Sequence, residues 1–330
     1  MRDVAALAGV STKTVSNVIN DYPYIRPETK ARVKVALQQL GYQMNHSARQ
    51  LRSGRTGIIS LALPEVRQPY FAELVHSVID EAQQVGLTVV VETTLGVRER
   101  ELEVLRGGPR HLVDGLIFNP VALAQSDIGD LPNLVPTVML AERVLGPVQA
   151  SLVAMNDREA AKAAVAHLAA VGCRRIAVIG TQDTPMMSPQ RRLQGYLDGL
   201  AEAGLPFDPE LQVGTDDWHR EAGALAAGRL LDEGVAFDAL FCFNDAMALG
   251  ALWELSHRGI AVPGEVAVVG FDDTEDARFA TPTLTSIEPG RALIARAAVQ
   301  LLVERLSGAP VRPHDVVVDF TLIPRESTAR

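Results

Sequence analysis

The first twenty residues contain two short helical patterns separated by a glycine. Gly9 ends the first pattern, because glycine enters the turn conformation without steric cost. Ser11 can cap a second helix, which the spacing places at residues 12–20. The spacing predicts a helix-turn-helix in which each helix has one apolar face. The apolar residues are Val4, Ala5, Ala8, Val15, Val18 and Ile19.

The opposite face of the second helix is polar and free of acidic groups. Its members fall at i, i+1, i+4, i+5 and i+8, and they are Thr12, Lys13, Ser16, Asn17 and Asn20. Base edges in the DNA major groove offer donors and acceptors to short polar side chains, so this face suits a recognition helix. A solvated helix of an ordinary small bundle is the alternative that the spacing alone leaves open.

A third helix is predicted between Pro27 and Gly41, since proline favours the first turn and glycine the position after the end. Val33, Leu37 and Leu40 form its predicted buried stripe.

The charge is unevenly distributed along the chain. Residues 1–55 hold nine basic and three acidic side chains, so their net charge is +6, whereas the net charge of the whole chain is -9. The remainder therefore carries -15. A basic module joined to an acidic body indicates a polyanionic partner for the first part.

From Gly57 the pattern changes to alternating strands and helices, which is typical of parallel sheets covered by helices. Two such sets predict two lobes, and open sheets of this kind bind ligands beyond the carboxyl ends of their strands. Predicted elements include a strand at 58–63 and helices at 98–106 and 191–203.

Composition and motifs narrow the function further. With 330 residues and 47% hydrophobic residues the chain can build a core, and no apolar run approaches a membrane span. Cys173 and Cys242 are isolated and are interpreted as buried reduced thiols, and the histidines lack ligand spacing. No P-loop, nucleophile elbow or dinucleotide fingerprint is present, so the sequence predicts neither an enzyme nor a metal or cofactor site. A cytoplasmic location is expected, since the chain starts with a helix and not with a signal-peptide pattern.

Longer stretches resemble one family closely, the lac repressor (LacI) family of bacterial transcriptional regulators. The resemblance rests on Asp3-Val4-Ala5, Ala8-Gly9-Val10-Ser11, Thr14-Val15-Ser16, Val18-Ile19-Asn20, Arg26-Pro27-Glu28-Thr29, Leu40-Gly41-Tyr42 and Asn45, and it continues to the C-terminus. It implies an α/β protein with a helix-turn-helix headpiece at 1–45, a hinge helix at 46–56 and a two-lobed periplasmic-binding-protein-like core at 57–330. The first lobe would comprise about 57–154 and 287–317, and the second about 155–286 and 318–330.

The resemblance assigns DNA contacts to the headpiece and to the hinge. The hinge, which the residues alone would equally allow to be a plain linker, would fold on DNA and press Leu51 into the minor groove, kinking the duplex. The full set of expected DNA contacts is Arg2, Thr12, Lys13, Ser16, Asn17, Asn20, Asn45, Ala48, Arg49, Leu51 and Arg52. Asn17 stands where the family often has arginine, which leaves guanine readout at that position open.

The resemblance also places a small-molecule effector site between the lobes. Its expected contacts are Tyr70, Phe71, Asn119, Arg192, Trp218, Asn244 and Asp272. Taken singly, each of these residues could have a structural role instead of a role in ligand binding. A tryptophan for stacking, a carboxylate for vicinal hydroxyls and an arginine fork favour a neutral sugar or polyol. A purine between the aromatic rings is the second choice. Ala141-Glu142-Arg143 departs from the family pattern, so that end of the pocket is not carried over.

Together these features predict an effector-responsive repressor of a sugar-utilisation operon, with two protomers placing two headpieces on a near-palindromic operator. No heptad segment follows residue 328, which favours a homodimer over a tetramer; a start upstream of Met1 is left open. A solute-binding protein is the alternative from another class, because it shares the two-lobed body but has no use for residues 1–55.

Overall fold

A computed structural model describes residues 1–19, 22–41, 55–106, 113–123, 127, 135–140, 150–183, 187–307 and 315–330. Its contacts divide the chain into two compact units, Met1–Thr56 and Gly57–Arg330. Part of the predicted DNA interface lies outside the described residues, namely Asn20, Asn45, Ala48, Arg49, Leu51 and Arg52, and so does Ala141-Glu142-Arg143. The hinge helix and the Leu51 wedge therefore stay predictions.

The first unit is a three-helix headpiece formed by α1 (Arg2–Ala8), α2 (Thr12–Ile19) and α3 (Pro27–Gln39). Gly9 ends α1 in the left-handed conformation, at φ 61°, which confirms the predicted turn. The Ser11 hydroxyl accepts the Thr14 backbone N–H at 3.0 Å, which confirms the predicted cap.

The headpiece core differs from the prediction on α3. Val33 is fully buried and Leu37 partly buried, but Leu40 is 46% exposed. Ala36 takes the inward position instead, at i+3 from Val33. Leu40 lies just past the last residue of α3, so the helical spacing no longer holds its side chain on the buried stripe. The core residues are Val4, Ala5, Ala8, Val15, Val18, Val33 and Ala36.

The first lobe of the second unit contains a six-stranded parallel sheet in the order β11-β5-β4-β3-β1-β2. Its strands are β1 (Ile58–Leu63), β2 (Thr88–Thr93), β3 (Gly115–Phe118), β4 (Thr137–Leu140), β5 (Ser151–Met155) and β11 (Asp315–Val318). Its helices are α4 (Pro69–Gln84), α5 (Arg98–Arg106) and α11 (Arg291–Leu306). Side chains of β1 alternate between the two faces, so Ile59, Leu61 and Leu63 pack in the cluster that contains α4 and α11 residues, and Ala62 packs in the cluster that contains α5 residues.

The second lobe contains a six-stranded sheet in the order β12-β10-β9-β8-β6-β7. Its strands are β6 (Ile176–Thr181), β7 (Gln212–Gly214), β8 (Ala239–Cys242), β9 (Ala267–Phe271), β10 (Thr285–Glu288) and β12 (Thr321–Ile323). Its helices are α6 (Asp157–Ala170), α7 (Met187–Glu202), α8 (Arg220–Asp232), α9 (Asp245–His257) and α10 (Glu275–Phe279). β12 pairs antiparallel with β10, whereas the other pairs are parallel as predicted. Cys173 and Cys242 are buried free thiols, as expected.

Small residues let helices of this lobe approach closely. A Cβ atom added to Gly195 on α7 would lie 2.1 Å from the carbonyl oxygen of Arg158 on α6, so only glycine fits there. The alanine-rich helix α6 therefore offers a packing surface for α7. α7 itself begins at Met187, one turn before the predicted start, because Pro189 is accepted in a first turn.

The chain passes between the lobes after β5, after β10 and after β11. Two of these crossings pack against each other at Gly290, whose φ is 77°. A Cβ atom there would lie 2.3 Å from the Val318 Cγ1 atom, so the close approach requires glycine. Among the described residues, no helix is long and apolar enough to span a membrane.

Candidate ligand-binding cleft

A cavity of about 1050 Å³ lies between the two lobes of the second unit. It is lined by residues that follow the carboxyl ends of strands in both sheets, where open parallel sheets bind ligands. Six of the seven predicted effector contacts line it: Tyr70, Phe71, Asn119, Arg192, Trp218 and Asp272.

Aromatic rings stand on both walls of the cavity. On the first lobe Tyr70 and Phe71 meet edge to face, with ring centroids 5.4 Å apart. Burial raises the pKa of the Tyr70 hydroxyl, so it stays a neutral donor at physiological pH. On the second lobe the Trp218 indole N–H donates to the Gly180 carbonyl at 2.8 Å, which fixes the orientation of the ring. The two walls can therefore present flat apolar surfaces to a ligand.

Arg192 lines the cavity but is largely engaged by the protein. It is 3% exposed, and its Nε atom donates to Asp157 Oδ1 at 2.6 Å. Its Nη1 atom donates to the Phe243 carbonyl, and its guanidinium carbon lies 3.5 Å from the centroid of the Phe271 ring. Burial raises the pKa of Asp157, and the charge of Arg192 opposes that rise. The Nη2 atom, 3.6 Å from the Met155 sulfur, is the part of the fork left for a ligand.

Asp272 presents a buried carboxyl group to the cavity from a strained loop. It is 5% exposed, and its φ of 114° is rare for a residue with a side chain. Its backbone is held on both sides, since its N–H donates to the Ile287 carbonyl at 2.8 Å and its carbonyl accepts Arg291 Nη1 at 2.9 Å. Burial raises the pKa of Asp272 well above its usual range, with Arg192 opposing the shift and Asp245 adding to it.

Asp245 anchors the loop that carries Asp272. One of its carboxylate oxygens accepts the Ser286 hydroxyl at 2.6 Å, and the other accepts the Thr274 N–H at 2.8 Å. Burial raises the pKa of Asp245 to about 7, against the lowering effect of these hydrogen bonds. Asp245 therefore positions the loop and is not among the cavity-lining residues.

Asn244, the seventh predicted effector contact, has a different placement. Its side-chain oxygen accepts the Met247 N–H at 2.9 Å and so caps α9, and its amide donates to the Trp218 carbonyl at 2.9 Å. It does not line the cavity. Both ends of the amide serve the protein, so Asn244 supports the Trp218 segment and leaves no group of its own for a ligand.

Sequence reasoning missed a group of charged residues around the cavity and between the lobes. His219 Nε2 lies 3.2 Å from Glu65 Oε1 across the lobes. Glu73 Oε2 on α4 pairs with Arg291 Nη2 at 2.6 Å, and Glu73 Oε1 accepts the Glu275 N–H of the second lobe at 2.9 Å. Glu65 lies two residues after β1, and His219 lies in the loop between β7 and α8, so the loops that follow strands were the available signal. Further charged lining residues are Arg67, Asp183, Asp216 and Asp217.

The predicted DNA face of the headpiece is only partly accessible. Arg2, Thr12 and Lys13 are exposed and Asn17 is half-buried, but Ser16 is 9% exposed and offers little surface. Beside α2, Tyr22 and Tyr24 form an exposed edge-to-face pair with ring centroids 5.5 Å apart, which the helical pattern did not reveal.

Two family models match the chain. Residues 1–45 match bacterial regulatory proteins of the lacI family, and residues 165–328 match a periplasmic binding protein-like domain. Regulator GalR of Salmonella typhimurium is 32% identical over 100% of this chain and 96% of its own length. Regulator CelR of Thermobifida fusca is 36% identical over 98% of this chain and 96% of its own length. Repressor PurR of Haemophilus influenzae is 31% identical over 93% of this chain and 91% of its own length.

Solved structures agree with these matches. A complex of regulator CelR with cellobiose superposes with a TM-score of 0.73 at 33% identity, covering 98% of each chain. The Lac repressor dimer bound to operator and an anti-inducer superposes with a TM-score of 0.83 at 27% identity, covering 99% of this chain and 98% of that one. With both units and nearly the whole length matched, the chain belongs to the lacI family of bacterial regulatory proteins.

Proposed function

We propose that this chain is a repressor whose binding to operator DNA is controlled by a sugar in the cleft between its lobes. The observation that carries the proposal is the combination of a helix-turn-helix unit with a two-lobed unit that encloses a cavity of about 1050 Å³. A repressor acts on chromosomal DNA, so the protein is placed in the cytoplasm, and no catalytic activity is assigned to it.

Sugar as the effector is supported by the chemistry of the cavity. Trp218 can stack on a pyranose face, and Asp272 can accept hydrogen bonds from vicinal hydroxyls, while Tyr70 and Phe71 close the other wall. The likeness to the CelR–cellobiose complex points the same way. A purine between the aromatic rings is the competing ligand in the test.

DNA binding is assigned to the accessible polar side chains of the headpiece. Thr12, Lys13 and Asn17 project from α2 towards base edges, and Arg2 contacts a phosphate. Asn20, Asn45, Ala48, Arg49, Leu51 and Arg52 are proposed to extend the interface through the hinge. Ser16 contributes least, because most of its surface is covered within the headpiece.

A homodimer is supported by apolar side chains exposed on three successive helices of the second lobe. Leu225 on α8, Trp253 on α9 and Phe279 on α10 are 68%, 57% and 79% exposed. Large exposed apolar groups on neighbouring elements mark protein–protein contacts. Sedimentation of the wild type and of Trp253→Arg checks this assignment, since the variant should shift towards the monomer.

The proposed function is tested by gel shift with the intact chain and with residues 57–330, first on random DNA and then on selected operator fragments. The intact chain should bind a discrete sequence and the shorter chain should not. Addition of the cognate sugar should release the operator. Binding by residues 57–330 alone would contradict the assignment of DNA recognition to the headpiece.

A further inference from the structure

The exposed side of the cavity carries an excess of negative charge. Asp183, Asp216 and Asp217 line it and are exposed to solvent. Glu65 also lines it, and its charge is opposed by His219 at 3.2 Å. Arg67 is the exposed basic residue among the described lining residues. An anionic ligand would therefore enter against a repulsive potential.

At the buried end of the cavity a carboxyl group can accept hydrogen bonds from a ligand, and little positive charge is available to pair with an anion. The charge of Arg192 is matched by Asp157 at 2.6 Å, and its flat face is covered by Phe271. Among the described residues, the Asp272 carboxyl group has no side-chain hydrogen-bond donor, although it is 5% exposed. Such a group requires donors from its ligand, because a buried polar group without a partner costs free energy. Hydroxyl groups of a sugar supply such donors, whereas an ionised phosphate at the same place offers only acceptors.

The size of the cavity favours more than one sugar ring. Its volume of about 1050 Å³ lies just above the range of roughly 300–1,000 Å³ that is usual for small-molecule sites. Tyr70 and Phe71 on the first lobe, and Trp218 on the second, provide aromatic surfaces on separate walls. Two or more linked rings can use both surfaces and also reach Asp272.

We propose that the cleft selects a neutral oligosaccharide of at least two rings and excludes phosphorylated sugars. This inference rests on the proposed function and narrows it, since a sugar effector could equally have been a monosaccharide or a sugar phosphate. The polar selectivity comes from Asp272 at the buried end and from Asp183, Asp216 and Asp217 at the exposed side.

The test is calorimetry on the intact chain with cellobiose, maltose, lactose, cellotriose, glucose and glucose 6-phosphate, with hypoxanthine as the purine probe. At least one neutral disaccharide or trisaccharide should bind at least about tenfold more tightly than glucose. Glucose 6-phosphate should bind more weakly than glucose. Tighter binding of glucose 6-phosphate than of glucose overturns the inference, as does binding of hypoxanthine with no response to any of the neutral oligosaccharides.

The double variant Asp216→Asn with Asp217→Asn isolates the charge effect. It should improve binding of glucose 6-phosphate relative to glucose by roughly three- to tenfold, since it removes two exposed charges that repel the phosphate. The gain should shrink in 1 M salt. Glu210 is an exposed acid outside the cavity, so Glu210→Gln is the matched control and should change the affinity for neither ligand. An unchanged ratio in the double variant also overturns the inference.

Operator gel shifts on the same samples separate this inference from the proposed function. If operator binding persists but the predicted sugar selectivity is not observed, the proposed ligand class is wrong. The assignment as a DNA-binding regulator then still stands. Absence of specific DNA binding overturns the proposed function, whatever the cleft binds.

Discussion

At Asp272 the proposed role in ligand binding opposes the demands of folding. The carboxyl group is 5% exposed, and burial raises its pKa well above the usual range, so its charged form weakens the folded state. Asp272→Asn keeps the volume of the side chain. Asparagine is also among the residues that best tolerate a positive φ, here 114°. The variant should therefore be more stable than the wild type at pH 7 and bind the effector more weakly.

Both effects have estimable sizes. A ligand hydroxyl that loses a charged acceptor costs about 1.5–3 kcal/mol, or roughly 10- to 150-fold in Kd. For folding, the pKa of Asp272 is higher in the folded state than in the unfolded chain, where it is about 3.9. The folded state then holds more protons between those two values, so stability of the wild type falls as pH rises through that window. The advantage of the variant should be absent below about pH 4 and should be roughly 1 kcal/mol at neutral pH, the usual size for a single stabilising substitution.

Calorimetry with the cognate sugar and urea unfolding at several pH values measure the two effects. Asp273→Asn is the matched control on the neighbouring residue, whose carboxylate is 4% exposed and accepts Arg325 Nη2 and Arg278 Nη2. That change breaks a buried ion pair, so it should lower stability by about 3 kcal/mol. If Asp272→Asn were less stable than the wild type and kept its affinity, the carboxylate would be structural and this reasoning would be refuted.

Three further changes test other parts of the structure. Lys13→Ala on the exposed face of α2 should cost about 1–3 kcal/mol on the operator and relax the base choice at one position per half-site; an equal loss in gel shifts on every sequence would make Lys13 a phosphate contact. Gly195→Ala should lower the free energy of unfolding by about 1–3 kcal/mol in urea titrations, whereas Gly264→Ala, whose added Cβ atom would lie 3.5 Å from Ala261, should be near neutral. Glu73→Gln weakens contacts to Arg291 and Glu275, so calorimetry should show about two- to fivefold weaker effector binding at unchanged effector-free operator affinity.

The sequence predicted local elements well, because strand and helix periodicity is set by neighbouring residues. The strand at 58–63 and the helix at 98–106 have their predicted bounds, while β5, β10, β11, β12 and α10 were not predicted. The partners of individual side chains were harder to predict, since they depend on contacts between residues that are distant in sequence. Arg192 was expected to be free for a ligand, but Asp157 is brought to it by the close packing of α6 on α7. Asn244 was likewise expected to contact the effector, and only the fold shows that it caps α9.

The polar contacts between the lobes explain how a small ligand can control the cleft. His219 meets Glu65 at 3.2 Å, Glu73 accepts the Glu275 N–H at 2.9 Å, and Arg291 donates to the Asp272 carbonyl at 2.9 Å. Partly exposed contacts of this kind contribute about 0–1.5 kcal/mol each, so together they stabilise the observed arrangement of the lobes by only a few kcal/mol.

A ligand that binds the closed cleft more tightly than the open one by about 5.5 kcal/mol would convert a population of 1:99 into 99:1. That difference is within the binding free energy of a micromolar ligand, about -8 kcal/mol. Only contacts made to both lobes at once can supply it, because contacts to one wall are equal in the open and closed forms. Asp272 and Trp218 on one side, with Tyr70 and Phe71 on the other, meet this condition. Linkage then requires that operator DNA change sugar affinity by the same factor by which sugar changes operator affinity.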